Sequence, residues 1–293
     1  MFRVVPPFLL ACLVAAGAAP VGASVPPTMQ ATPTLVDIRA THHPGFDRIV
    51  FEFQGGLPSS HDAMYVDQLL GDGSGLPVRI AGRAVLQVSF TPAQAHDAQG
   101  TTVLRRIAFP LSNIMTVVRS GDFEAVTTYG IGLAKKTPFH VSTLQSPSRV
   151  VIDVRAAFPT VDRKVFFLNR DNFVDNVDPF FTPVLRPVRQ GSPATGVMDR
   201  LFAGPLPGEQ ADGLQLLRSH ARGFADLVIA DGVARVRLTG RCNSDGSTVS
   251  IAGEVMPTLR EFANVDWVKI FDASGSTETP TGHTDSIPAC LEP

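Results

Sequence analysis

Adjacent histidines, His42 and His43, are the first place where this chain could hold a metal. Neighbouring side chains on a strand point to opposite faces, so the pair cannot chelate together without a turn. No cysteine or carboxylate is spaced to complete a zinc set, and there is no HExxH. Gly71-Asp72-Gly73-Ser74-Gly75 places its serine one position late for a nucleophile elbow, and Leu76-Pro77 behind it is no helix start. A Ser/His/Asp triad is assembled by the fold rather than by spacing, and nothing in this order of residues points to one. A carboxylate pair for glycoside cleavage is equally unsignalled, and neither a P-loop nor a dinucleotide fingerprint is present. The expectation is a protein with no catalytic residue, no metal and no cofactor.

Binding chemistry has more to work with. In Phe46-Asp47-Arg48-Ile49-Val50-Phe51-Glu52-Phe53, Arg48 and Glu52 share one face of a strand while Ile49, Phe51 and Phe53 share the other. Arg48 and Glu52 could form a ligand-binding face, with the guanidinium gripping a carboxylate such as a peptide-stem terminus. The alternative is a solvated face whose charges pair with one another. Tyr65, Tyr129 and Trp267 could stack on sugars, or could simply pack in the core or at its rim. Cys242 and Cys290 form an even pair, expected to bond in an oxidising compartment and to pin the tail, residues 277–293.

These groups sit in a chain of 293 residues, 44% hydrophobic and 18% charged, with a formal net charge of −2. That composition can bury real cores and is not that of a disordered chain. No run of like charge suggests a nucleic-acid arm. The first residues read as an export signal: Arg3, an apolar stretch over 8–19, the helix breaker Pro20, then small residues around Val21-Gly22-Ala23. Cleavage is expected after Ala23. The stretch is short for a membrane span, and no later segment approaches that length, so the mature chain is expected to span no membrane. Leu9-Leu10-Ala11-Cys12 loosely matches a lipobox, which would anchor the protein through Cys12. Continuation of the apolar run past Cys12 favours an ordinary signal sequence.

Residues 24–33 read as a flexible lead-in. Short β-branched or aromatic runs then follow at 35–39, 48–53, 63–68, 78–80, 84–90, 114–120, 125–131, 139–143 and 149–154. So many strands with little helix argue for an all-β sandwich or barrel over 34–158. Residues 159–164 look like a linker. Beyond it the periods mix. Strands are expected at 164–169 and at 181–189, the latter interrupted by Pro183 and Pro187 and so at an edge. Helical spacing covers 194–202, ended by Gly204-Pro205, and 251–263, with Pro257 as a kink. Ala230-Asp231-Gly232-Val233 signals a hairpin, and 267–271 a last strand. Interspersed helices and strands over 165–276 suggest a two-layer α/β (α+β) domain.

Several of these runs, in order, resemble known families. Val36-Asp37-Ile38-Arg39, residues 46–53 as quoted, Gly73-Ser74-Gly75, Gly121-Asp122-Phe123-Glu124, Tyr129-Gly130-Ile131-Gly132-Leu133, Pro138-Phe139-His140-Val141 and residues 148–154 resemble the AMIN-like domain of exported bacterial proteins. Val165-Phe166-Phe167-Leu168, residues 183–188, Leu201-Phe202-Ala203-Gly204-Pro205, residues 230–236 and Thr258-Leu259-Arg260-Glu261-Phe262 are similar to the GerMN domain of sporulation and germination proteins. The resemblance implies a sandwich followed by a compact α/β domain, both outside the cytoplasm. It implies a secreted or envelope-associated protein that binds cell wall peptidoglycan or scaffolds an envelope assembly. It carries over no catalytic residue. An alternative is an assembly module that pairs with another envelope protein through a strand edge within 160–293. A further alternative is an envelope hydrolase of unrecognised type.

Overall fold

The computed structural model describes residues 1–4 and 31–293. The expected leader beyond residue 4, with Cys12 and the cleavage point at Ala23, lies outside the described residues, as does the lead-in through residue 30.

From Thr34 the chain forms eleven strands: β1 (Thr34–His43), β2 (Phe46–Gln54), β3 (Ser60–Val66), β4 (Ala84–Thr91), β5 (His96–Asp97), β6 (Gly100–Thr101), β7 (Arg106–Ala108), β8 (Ile114–Phe123), β9 (Val126–Leu133), β10 (Phe139–Leu144) and β11 (Ser148–Arg155). One sheet runs β1-β2-β11-β10 and a second β3-β4-β9-β8-β7. Every pairing in them is antiparallel. Alternation dictates the layering. Ile49, Phe51 and Phe53 on β2 and Val150, Ile152 and Val154 on β11 point inward. They meet Leu86, Val88 and Phe90 of β4 and Tyr129 and Ile131 of β9. Phe51 lies 4.9 Å from Phe90 and 5.7 Å from Tyr129, ring centre to ring centre. Burial of each such side chain contributes about 1.5–3 kcal/mol.

Asp47 interrupts that apolar face and is fully buried. It is satisfied by the Asn113 and Ile114 amides, at 2.5 and 2.9 Å, and by His42 Nδ1 at 2.7 Å. A buried carboxylate so supplied fixes the start of β8 against β2.

Residues 78–80 do not form the expected strand. They belong to a segment that folds back, Val78 donating to the Leu69 carbonyl at 2.8 Å, and that covers the outer face of the second sheet. Leu69, Val78 and Ile80 pack there on Val85 and Val118. Two glycines make room for it. A Cβ on Gly132 would stand 2.0 Å from the Ala81 carbonyl oxygen, and one on Gly130 2.6 Å from Leu69.

The remaining chain forms β12 (Thr160–Asn169), α1 (Arg170–Val174), β13 (Phe181–Arg189), α2 (Pro193–Ala203), α3 (Pro207–Ala211), β14 (Leu214–Gln215), β15 (Ala221–Ala230), β16 (Val233–Gly240), α4 (Ala252–Arg260) and β17 (Trp267–Phe271). Residues 160–164, expected as a linker, are the first half of β12, paired with β13 throughout. The two sheets here run β13-β12-β14 and β15-β16-β17. β13 is an edge, as its prolines require. Asp231 and Gly232 turn the β15–β16 hairpin at φ 51° and 74°. α2 buries Val197, Met198, Leu201 and Phe202, and α4 buries Val255 and Leu259, against Phe167, Val236 and Ile270. The chain is thus mostly β along its length, with two principal helices in its second half.

That second half is not packed as a separate body, for residues 32–293 form a single compact unit. Ala81 and Met115 of the first half enter the same core as α2 and α4. Asp199 on α2 receives a two-pronged bond from Arg83, at 2.8 and 2.7 Å, and Arg83 also lies 4.6 Å over the Phe224 ring. Burial nonetheless holds the Asp199 carboxyl above its ordinary range, against the pull of Arg83. Its neighbour Arg200 is wholly buried and donates to the carbonyls of Phe109, Leu111 and Pro187. Burial, then Arg186, lowers the Arg200 guanidinium to about 9, so it remains a cation at neutral pH. Among the described residues no helix is long and apolar enough to cross a membrane.

Cys242 and Cys290 are joined by a disulfide. The tail it holds also runs alongside β17, with Ile270 donating to the Ser286 carbonyl at 2.9 Å and Ser286 to that of Val268 at 3.1 Å.

Candidate binding site

The uncovered face of the first sheet carries Arg48 and Glu52 on the same side of β2, as alternation requires. Each already has its counter-charge within the sheet. Arg48 places Nε and Nη2 on the two oxygens of Asp153, each at 2.7 Å, and lies 5.4 Å over Phe46. That bond raises the Arg48 pKa above its ordinary value. Glu52 takes Arg39 Nη2 at 2.8 Å, and Arg39 also reaches Asp37 at 2.6 Å. Register explains the pairs: Arg48 stands directly opposite Asp153, and Arg39, two residues along β1 from the Asp37 that faces Glu52, reaches Glu52 on the diagonal. Such exposed pairs are worth up to about 1 kcal/mol each. Arg48 has its fork filled, so a carboxylate ligand there must first displace Asp153.

His42 and His43 point apart, one to Asp47 and the other stacked on Phe46 with ring centres 4.9 Å apart. The three candidate stacking residues do not assemble into one platform. Tyr129 is buried in the sandwich, and Trp267 is at the start of β17. Tyr65 alone opens onto a groove.

That groove lies where β3 and β4 pass the loop between β9 and β10. Tyr65, Val66, Asp67, Arg83, Val85 and Lys136 line a cavity of about 250 Å³. A shallow opening bounded by Tyr65, Lys136 and Phe139 adjoins it. Tyr65 is held rigidly: its hydroxyl donates to the Thr137 carbonyl at 2.5 Å and accepts the Thr137 amide at 3.2 Å. Phe139 meets it edge-on at 5.6 Å. Lys136 Nζ stands 5.0 Å from the centre of the Tyr65 ring, and it is exposed. Among the described residues no carboxylate pairs with it. A fixed aromatic ring with an exposed ammonium over it that has no carboxylate partner among the described residues suits a sugar that carries a carboxylate. Lys136, Phe139 and Arg83 were not singled out from the sequence. The available signal was weak: Lys135-Lys136 is the one lysine doublet in an arginine-rich chain.

The arrangement of the first half is that of a two-sheet antiparallel sandwich. Within that class, residues 33–156 match the family model of the AMIN-like domain, a span that starts just before β1 and ends just after β11. An AMIN-like domain is therefore detected over residues 33–156, less than half of the chain. The match does not reach residues 165–276, and the GerMN domain expected there is not detected. Comparison with curated proteins and with solved structures finds no match.

Proposed function

We propose that this is an exported, non-catalytic envelope protein whose AMIN-like domain binds peptidoglycan, with the Tyr65–Lys136–Phe139 groove as the contact. The observation that carries the reading is Lys136, exposed and without a carboxylate partner among the described residues, held beside a rigid Tyr65 on an AMIN-like domain. Glycan would stack on Tyr65 and Phe139, and its lactyl or peptide carboxylate would meet Lys136. Export is supported by the leader-like first residues and by the bonded cysteines, which belong to an oxidising compartment. The second half, resembling GerMN, would then be the part presented at the wall.

Assembly through a strand edge has less support, because the edges are blunted. β13 carries Pro183 and Pro187, β15 is bulged between Ala221 and Gly223 and between Ala225 and Val228, and Ser286 pairs beside β17.

The test is co-sedimentation of the full chain with purified peptidoglycan sacculi, alongside the Lys136→Glu variant, with muropeptides assayed in the supernatant. Wild type should pellet, the variant should lose most of that binding, and no muropeptide should be released. Failure of wild type to pellet removes the wall-binding reading, and released muropeptides replace it with a hydrolase.

A further inference from the structure

Five arginines, distant in sequence, converge beside the segment that covers the second sheet. Arg79 belongs to that segment, Arg105 and Arg106 lie at the start of β7, Arg218 precedes β15, and Arg222 is on it. Arg79 and Arg222 line one groove of about 260 Å³, with Gln68, Val78 and Ile80. Arg106 is tied to Arg79, donating from Nη2 to its carbonyl. Its other terminal nitrogen, Nη1, is buried with no hydrogen-bond partner. Arg218 spends one nitrogen on the Phe202 carbonyl at 3.0 Å.

None of the five forms an ion pair with a carboxylate among the described residues, whereas Arg39, Arg48, Arg83, Arg119, Arg186, Arg237 and Arg260 all do. Two acids are near. Asp67 lines the groove. Glu254 acts on Arg218, but it is buried and bound by the Leu168 and Leu217 amides. Burial raises the Glu254 pKa well above its ordinary value, which weakens it as a counter-charge. Burial first, then the fields of Arg218, Arg79 and Arg105, bring the Arg106 guanidinium down to about 10. It is still a cation at neutral pH. Folding therefore gathers like charges at a cost, on a chain whose formal net charge is −2.

We propose that Arg79, Arg105, Arg106, Arg218 and Arg222 form a binding site for a phosphate-class anion carrying two or more charges, a pyrophosphate or phosphodiester group. Guanidinium forks match the oxygens of phosphate, and several forks converging from different elements match a tetrahedral anion better than a single planar carboxylate. One carboxylate would leave most of the repulsion in place. The site adjoins the Lys136 groove, with which it shares Asp67, but its cations are different ones and it does not rest on wall binding.

The test is calorimetric titration of the full chain with sodium pyrophosphate at low ionic strength, together with thermal unfolding, for wild type and for Arg79→Gln/Arg222→Gln. Both substituted residues are exposed, so the fold should survive. Pyrophosphate should bind wild type and raise its Tm. The double variant should bind about tenfold or more weakly, and its anion-free Tm should equal or exceed that of wild type. Lys136→Glu should keep pyrophosphate binding, which separates this site from the groove. Vesicles of phosphatidylglycerol distinguish the sources of the phosphate. Pelleting that the double variant loses places the group in a lipid headgroup, and pyrophosphate binding without pelleting places it in a soluble molecule. Absence of pyrophosphate binding to wild type, or equal binding by the double variant, overturns the proposal.

Discussion

Replacing Cys242 and Cys290 together by serine removes a bond that spans 48 residues of sequence. In the chain-entropy account, a closed loop of that length restricts the unfolded ensemble by about 4 kcal/mol. The folded state should hardly notice the loss. The tail is anchored independently by the two Ser286 bonds beside β17, by buried Leu291, and by the Ser244 amide on the Cys290 carbonyl at 2.8 Å. The destabilisation should therefore approach the full entropic figure. For a unit of this size it corresponds to a fall in Tm of about 8–16 °C. Differential scanning calorimetry of the double serine variant, and of wild type under reductant, should give equal falls. Urea unfolding should show a steeper slope for the variant, because its unfolded chain exposes more surface. A fall below about 1 kcal/mol would refute the reasoning, since the open chain would then be as restricted as the closed one. So would early hydrogen exchange over residues 277–293 alone in the variant, which would mean that the tail depends on the bond to stay docked.

Glu254→Gln should raise stability at pH 8, and the gain should vanish as pH falls. The folded-state pKa of Glu254 is raised by burial, so the protonated form is favoured in the fold; that stability is present below the unfolded value, 4.5, and is lost as pH rises through the folded one. Glutamine keeps a carbonyl oxygen for the Leu168 and Leu217 amides. Tm measured from pH 4 to pH 8 checks this, and a less stable variant at pH 8 would mean that those amide bonds to a charged carboxylate outweigh burial. At the joint, a double-mutant cycle of Arg83→Ala and Asp199→Ala should give a coupling of about 1 kcal/mol or more, because the pair is forked and Asp199 is buried. Denaturant unfolding of the four proteins measures it, and additive losses would mark the pair as an ordinary surface contact.

Much of the sandwich was legible because one face of each strand is buried. Ile49, Phe51 and Phe53 declare their period of two, and a strand with that pattern has one register available to it. Pro183 and Pro187 placed β13 at an edge, and Asp231-Gly232 placed its hairpin. Residues 78–80 misled because three apolar residues suit a strand or a cover equally well, and only the glycines of β9 show that something must lie across it. Arg48 and Glu52 were correctly put on one face, but their partners, Asp153 and Arg39, arrive from neighbouring strands. The candidate groove was less legible still, since Lys136, Phe139 and Tyr65 lie on different strands and loops. The arginine cluster has the same character: single residues at 79, 105, 106, 218 and 222 carry no pattern along the chain.

The joint had no signal at all, and it changes how function can be measured. Asp199 and Arg200 sit on α2 between Val197 and Leu201, where two charged residues read as the wet face of a helix. Their partners, Arg83 and the carbonyls of Phe109 and Leu111, lie about ninety or more positions earlier. Arg83 belongs at once to the groove wall and to the joint. A fragment ending at residue 156 would take Asp199 away from it and leave a second free cation beside Lys136. The same cut would uncover Met115 and Ala81 and strip the Phe109 and Leu111 carbonyls of their donor. Binding by such a fragment would report a groove that the whole chain does not have. The AMIN-like domain therefore has to be tested within the full chain, with point substitutions that leave Arg83 and Asp199 paired.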